Sequence, residues 1–167
     1  MSLAMKKAPG PAIPGRKLSK HFSLKEMTVT QTGLSNSIDD QAIIRRLELV
    51  CQNVLEKVRE HYQRPIIVHS GYRSPLVNKA VGGAATSQHV RGEAVDFHVM
   101  GNSLYDVAIW ISGNIDYDQL ILENYLGDQH ANGWVHCSYG PRMRYDNLTK
   151  FKGSKKYHQG ILKSAVG

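Results

Sequence analysis

The chain of 167 residues has only two cysteines, Cys51 and Cys137, and no long apolar run. A disulfide framework needs more cysteines in looser segments than the helix and strand predicted around these two, so we expect free thiols. No stretch approaches the roughly 20 apolar residues of a membrane helix. The start of the chain, MSLAMKKAPGPAIPGRK, lacks the apolar core of a secretion signal. We therefore expect synthesis in the cytoplasm and no membrane partner.

Acidic residues are fewer than basic ones: the chain has 14 Asp and Glu and 21 Lys and Arg, which gives a formal net charge of +7. The excess lies near the two ends of the chain, and a basic protein can meet nucleic acid, an anionic surface or an anionic polymer. The sequence has no finger spacing and no interleaving of aromatic and basic residues, so we do not expect a nucleic-acid partner. Basic tails are most often solvated arms.

The length fits one domain with a core of its own. Residues 1–20 contain Pro, Gly and Lys without periodicity and predict a flexible leader. We predict that residues 21–145 form the folded domain and that residues 146–167 form a basic C-terminal tail.

Local patterns predict helices and short strands without a βαβ alternation. Ser23 and Glu26 form a capping-box pattern. The clearest helix is predicted from Ser37 to His61 or Tyr62, and shorter helices follow Ser74 and Ser103. Strands are predicted at 65–70, 94–100, 117–123 and 134–139. This pattern predicts an α+β fold with helices packed on a small, mostly antiparallel sheet.

Strand alternation sorts the residues that could carry chemistry. Asp96 and His98 share one face of their strand, and His136 lies on the Trp134 face of another. His89 lies in the loop before the first of these strands. A catalytic zinc site needs three ligands and an open position, and His89, Asp96 and His136 can supply two nitrogens and one oxygen. Short His/Asp patterns also recur by accident, so spacing alone leaves an ordinary polar cluster as the alternative.

Three motifs resemble the peptidase M15 family, the zinc D-alanyl-D-alanine carboxypeptidases with related phage endolysins. Residues 87–96, SQHVRGEAVD, match the pattern SxHxxGxAxD of that family's zinc signature. SGYRS at 70–74 and WVHCS around His136 resemble the segments that flank it. The resemblance runs from HFSLKEMT to WVHCSY, with the motifs in the family's order.

The resemblance implies a hedgehog- or DD-peptidase-like fold and assigns roles to residues. His89, Asp96 and His136 would bind Zn2+. Arg73 would hold a substrate carboxylate or polarise the scissile carbonyl, for which a planar guanidinium is suited. Ser87 would line the substrate site.

One position departs from the family pattern. Many members carry an acidic general base three residues before the last zinc histidine, where this chain has Gly133. Glu123 is the replacement that we predict, because a hairpin between its strand and that of His136 would bring it beside the metal. A solvated carboxylate at the strand end is the alternative, and Asp118 and His130 are weaker candidates for the base.

The implied activity is hydrolysis of an amide bond in a peptidoglycan stem peptide. The bond would be D-Ala-D-Ala, as in the carboxypeptidases, or L-Ala to D-Glu, as in some endolysins. A non-catalytic wall-binding or structural module of the same fold is the alternative. We expect a monomer that acts at the cell wall, as a phage or prophage lysin without a secretion signal would.

Overall fold

The computed structural model describes residues 15–127 and 132–165. The helical elements in chain order are α1 (Leu24–Met27), α2 (Gln41–Val50), a π-helical segment (Cys51–Leu55), α3 (Glu56–Tyr62), α4 (Pro75–Ala80) and α5 (Leu104–Asn114). The strands are β1 (Ile66–Ser70), β2 (Ala94–Val99), β3 (Gln119–Tyr125), β4 (Trp134–Ser138), β5 (Asp146–Phe151) and β6 (His158–Gln159).

The six strands form one sheet in the order β1-β2-β4-β3-β5-β6. Every pairing is antiparallel except that of β3 with β5, which is parallel. The predicted α+β fold with a mostly antiparallel sheet is confirmed. The four predicted strands all form, with ends that shift by one or two residues.

The longest helical stretch runs without a break through α2, the π-helical segment and α3. Its predicted end at Tyr62 is confirmed, but its predicted start at Ser37 is wrong. Asp40 caps the helix, because its carboxylate accepts hydrogen bonds from the amides of Ala42 at 2.9 Å and Ile43 at 3.3 Å. Ile38 is buried just before this cap, and the backbone of Asp40 is extended.

The sheet has one face in the core and one open face. Val95 and Phe97 of β2 and Leu120 of β3 pack in the core with side chains from the long helical stretch and from α5. Because side chains alternate along a strand, Asp96 and His136 point to the opposite face. The long helical stretch and α5 thus cover one face, and the opposite face carries polar groups.

The folded part extends past both predicted boundaries. Leu18, within the predicted leader, is 4% exposed, and Lys17 forms a β-bridge with Ser23. Beyond residue 145, β5 and β6 add two strands to the sheet, and Thr149 of β5 is fully buried. The described part of the predicted basic tail therefore belongs to the domain.

Both cysteines are free, as predicted. Both are also buried, and burial raises the pKa of each thiol. Among the described residues, no helix has the length and apolar character needed to cross a membrane.

Candidate metal centre

The structure brings His89, Asp96 and His136 together on the open face of the sheet. His89 Nε2 lies 3.3 Å from both His136 Nδ1 and Asp96 Oδ1, and His136 Nδ1 lies 2.9 Å from Asp96 Oδ1. Among the described residues this is the one group of three or more His, Cys, Asp or Glu side chains that could hold a metal ion. Two side chains come from neighbouring strands and the third from a loop, as the sequence predicts.

Backbone geometry explains how the three side chains meet. Asp96 and His136 are directly opposite each other in the antiparallel β2–β4 ladder. His89 lies in the turn before β2, and this turn packs against α2 at Gly92. Gly92 has φ +74°, and a Cβ there would lie 2.8 Å from the carbonyl oxygen of Ile43. Only glycine combines this backbone conformation with so close an approach.

The donor set fits a zinc ion. A tetrahedral Zn2+ with bonds of about 2.0–2.1 Å separates its ligand atoms by about 3.3–3.4 Å, which matches the two longer edges of the triangle. His89 Nδ1 lies 2.7 Å from the carbonyl oxygen of Gly71 and must donate to it, so in the neutral ring Nε2 carries no proton and faces the other two residues. A metal-binding imidazole needs this tautomer.

Asp96 stays ionised in this setting. Burial acts to raise the pKa of its carboxyl group, but the charges and hydrogen bonds of His89 and His136 outweigh burial and lower that pKa well below its usual range. The Asp96 side chain is only 14% exposed. A buried carboxylate between two imidazoles is a ready donor to a cation.

Glu123 lies in the same cleft, on the β3 strand that forms the predicted hairpin with β4. Glu123 pairs with Trp134, and Ile121 pairs with His136, so Glu123 is a diagonal neighbour of His136 on one face. Burial raises the pKa of Glu123, against the lowering effects of His136 and Lys150. A raised pKa moves a carboxylate toward the range in which it exchanges protons at working pH.

The backbone explains why residue 133 is glycine. A Cβ on Gly133 would lie 2.8 Å from the carbonyl oxygen of Glu123 and 3.1 Å from that of Asn124. The turn side of β4 therefore approaches β3 too closely for a side chain. The acid that many family members have at this position has no room in this chain.

Arg73 and Ser87 line the cleft together. Arg73 Nη2 donates to Ser87 Oγ at 3.3 Å, whereas Arg73 Nε is buried and has no hydrogen-bond partner among the described residues. The Arg73 side chain lines the cleft, so its outer N–H groups are suited to a carbonyl or carboxylate oxygen of a ligand.

Asp118 and His130 are the two weaker candidates for the general base. Asp118 is fully buried and accepts hydrogen bonds from Arg144 Nε at 2.7 Å, Arg144 Nη2 at 3.0 Å and Gln88 Nε2 at 2.7 Å. Burial acts to raise its pKa, but these bonds dominate and lower it. A carboxylate so occupied has a structural role. His130 lies outside the described residues.

The cleft also contains residues that the sequence analysis missed. A cavity of about 470 Å³ over the three clustered residues is lined in addition by Arg142 and Tyr157. The Tyr157 hydroxyl lies 3.5 Å from Glu123 Oε1. Both residues follow the last motif, in the stretch for which the sequence offered no pattern. Next to the cluster, a hydrogen bond of 2.7 Å joins His69 Nε2 and His98 Nδ1.

A comparison with known protein families gives a match. A family model described as Peptidase M15 matches residues 20–138, which include the three clustered residues, Arg73, Ser87 and Glu123. No curated protein matches the chain.

Proposed function

The chain belongs to the peptidase M15 family, and from this premise we propose that it is a zinc-dependent metallopeptidase that hydrolyses an amide bond in peptidoglycan stem peptides. The observation that carries the proposal is the triangle of His89, Asp96 and His136 ligand atoms on the floor of an open cleft. Glu123 and Arg73 line the same cleft. We propose the cell wall as the place of action.

Each polar residue would have a separate task. Zinc held by the two imidazoles and Asp96 would act as a Lewis acid and lower the pKa of a water from 15.7 to about 7. Glu123 would accept the proton that the water loses and pass it to the departing amine nitrogen. Arg73 would donate to the carbonyl oxygen as negative charge develops on it.

The reaction is a simple hydrolysis. The C–N bond of the amide breaks, the hydroxyl group of water joins the carbonyl carbon, and the proton goes to the nitrogen. Because no covalent enzyme intermediate is needed, a nucleophilic Ser or Cys is not required; Cys137, on β4 beside His136, is buried in the core and does not face the cleft.

A digestion of purified peptidoglycan tests the proposal. The full chain, loaded with one zinc ion, is incubated with cell-wall sacculi, and the released muropeptides are identified by mass spectrometry. We expect zinc-dependent release that chelation stops and that Glu123→Gln lowers strongly. The masses report which bond is cut: D-Ala-D-Ala cleavage releases free D-Ala, and L-Ala to D-Glu cleavage separates the peptide from the glycan side.

The alternative is a wall-binding or structural module without catalysis, and Gly133 in place of the usual acid favours it. Glu123 on the same sheet face as Asp96 and His136 favours the enzyme instead. Binding of the native chain to sacculi with no release of peptides at any zinc level would establish the alternative.

A further inference from the structure

The two strands after residue 145 bring a tyrosine to the cleft. β5 pairs with β3, and β6 pairs with β5. Tyr157 directly precedes β6 and lines the same cavity as Glu123. Both strands lie beyond residue 138, where the match to the family model ends. The family match therefore assigns no role to Tyr157.

Hydrogen bonds fasten β6 to β5 and fix the position of Tyr157. Thr149 Oγ1 on β5 donates to the carbonyl oxygen of Gly160 at 2.8 Å and accepts from the amide of Leu162 at 2.9 Å. Thr149 is fully buried, so these bonds are shielded from water. His158, the residue after Tyr157, is the ladder partner of Thr149. The tyrosine therefore lies at the start of a firmly bonded strand.

The Tyr157 side chain reaches from β6 to Glu123 on β3. Its hydroxyl lies 3.5 Å from Glu123 Oε1 and is the donor, because a carboxylate can only accept. Within residues 15–127 and 132–165, the Glu123 carboxylate has no other hydrogen bond. Lys150 of β5 lies beside this pair: its Nζ is 5.0 Å from the centroid of the Tyr157 ring, and its charge acts to lower the pKa of Glu123. A hydroxyl and an ammonium group thus act on one carboxylate.

We propose that Tyr157 is a positioning residue for Glu123, whose carboxylate it holds by Oε1 so that Oε2 takes the proton from the attacking water. The proposal rests on the proposed function, because it assigns this role only if Glu123 is the base. The water proton goes to Glu123, and Tyr157 keeps its own. Without the hydroxyl, the terminal torsion of the glutamate is broad, and fewer of its orientations suit the transfer. Hydrogen bonds of catalytic groups are often long before the substrate binds and shorten in the complex.

Tyr157→Phe tests the proposal, because it removes the hydroxyl and keeps the ring. The substrate is a soluble muramoyl pentapeptide that contains both candidate bonds, L-Ala to D-Glu and D-Ala-D-Ala. For the zinc-loaded full chain we expect kcat to fall about three- to tenfold with KM unchanged, the effect of one hydrogen bond. Zinc content should stay at the native level. A native kcat in Tyr157→Phe overturns the proposal.

Tyr145→Phe is the matched control. Tyr145 is 50% exposed and Tyr157 48% exposed, and the Tyr145 hydroxyl also donates to a carboxylate, that of Asp116 at 2.8 Å, but Tyr145 does not line the cleft. This variant should keep the native kcat and KM. An equal loss of kcat in Tyr145→Phe would show a general effect of removing a hydroxyl and would overturn the proposal.

The pH profile gives a readout that a merely structural tyrosine would not move. A donated hydrogen bond favours the charged carboxylate, so loss of the Tyr157 hydroxyl should raise the pKa of Glu123. A base acts in its unprotonated form, so the acidic limb of kcat/KM should move to higher pH in Tyr157→Phe and stay in place in Tyr145→Phe. An unmoved limb in Tyr157→Phe contradicts the proposal. Both variants keep the other charged and titratable groups that act on Glu123, which are Arg73, Asp96, His136 and Lys150.

A double-mutant cycle separates this inference from the proposed function, because it needs no catalysis. Free energies of unfolding are measured for the full native chain, Tyr157→Phe, Glu123→Ala and the double variant. If the hydroxyl holds the carboxylate, the loss in the double variant differs from the sum of the two single losses. A native chain that cuts nothing would refute the proposed function, and the cycle would still report whether Tyr157 holds Glu123. Additive losses overturn the positioning role whatever the activity.

Discussion

Asp96 Oδ1 and His136 Nδ1 lie 2.9 Å apart because their residues are direct partners in the antiparallel ladder of β2 and β4. The ladder register therefore decides whether a metal centre can form at all. A slip of one residue would turn either side chain to the core face. The core residues Val95 and Phe97 of β2 and Val135 of β4 hold that register by filling the opposite face.

We predict that the purified chain binds about one zinc ion and that His136→Ala binds almost none, because two remaining donors do not hold a catalytic zinc. The measurement is elemental analysis after dialysis against a weak chelator. His61→Ala serves as the control, since it also removes an imidazole, at a place where the ring stacks on Trp110. Retention of one zinc per chain by His136→Ala would refute the assigned ligand set.

We predict that Glu123→Gln lowers kcat by about 10²–10⁴-fold, the usual contribution of a general base, while zinc content stays near one per chain. The amide keeps the shape of the side chain but accepts no proton. Zinc content and unfolding midpoint are measured on the same samples as activity. Full activity in a folded, zinc-loaded Glu123→Gln would show that another group takes the proton.

Strand alternation made most of the candidate centre predictable from the sequence. The face shared by Asp96 and His98 and the hairpin of β3 with β4 both follow from local patterns. Each depends on side-chain period or on a turn residue, which sequence reasoning can evaluate. The ends of strands and the choice of helix cap were less accessible: Ser37, Asp39 and Asp40 are all residue types that suit a cap, and in the structure Asp40 is the cap.

The strands after residue 145 were not predictable in the same way. β5 reads DNLTKF, without a clear alternation, and it pairs in parallel with β3, which lies far away in sequence. Such a pairing leaves no local turn signal. Arg142 and Tyr157 reach the cleft only through this topology, so no motif marks them.

Arg73 should act on the substrate and not on the metal. We predict that Arg73→Ala lowers kcat/KM by about 10²-fold with zinc content unchanged, because one donor to the developing oxyanion is lost. Arg73→Lys should recover only part, since a point charge does not replace a planar fork. Steady-state kinetics with a stem-peptide substrate gives the measurement. Arg64→Ala is the control, because Arg64 is exposed before β1 and does not line the cleft. Zinc loss in Arg73→Ala would contradict the assigned role.

Asp118 should matter for stability. We predict that Asp118→Asn lowers the free energy of unfolding by about 1.5–3 kcal/mol, because it breaks a charged hydrogen-bond pair and Arg144 can still reach solvent. Urea unfolding measures this loss, and zinc content should not change. If Asp118→Asn abolished turnover without loss of stability, Asp118 would replace Glu123 as the candidate base.

The lowered pKa of Asp118 predicts how the contribution of this residue to stability changes with pH. The pKa of Asp118 is lower in the folded chain than the ordinary value of about 3.9, so its contribution to stability is present above that value and is lost as the pH falls towards the lower one. The stability difference between the native chain and Asp118→Asn should therefore be full at neutral pH and shrink below about pH 4. Urea midpoints measured across this range test it; a difference that grows on acidification would contradict the lowered pKa.

Gly133 is the position where the chain departs from the family pattern, and variants at this position test whether the departure matters for activity and stability. If catalysis used an acid at this position, Gly133→Glu would restore activity to Glu123→Gln. We predict no rescue, and a loss of about 1–3 kcal/mol in the free energy of unfolding for Gly133→Ala alone, because the added Cβ meets the Glu123 carbonyl oxygen at 2.8 Å.

Gly113→Ala is the matched control, since a Cβ on Gly113, within α5, meets nothing within 4 Å. Alanine there should be neutral or stabilise the helix by up to about 1 kcal/mol. Equal stability of the two alanine variants would mean that β4 can move away from β3, and position 133 would then be open to an acid after all.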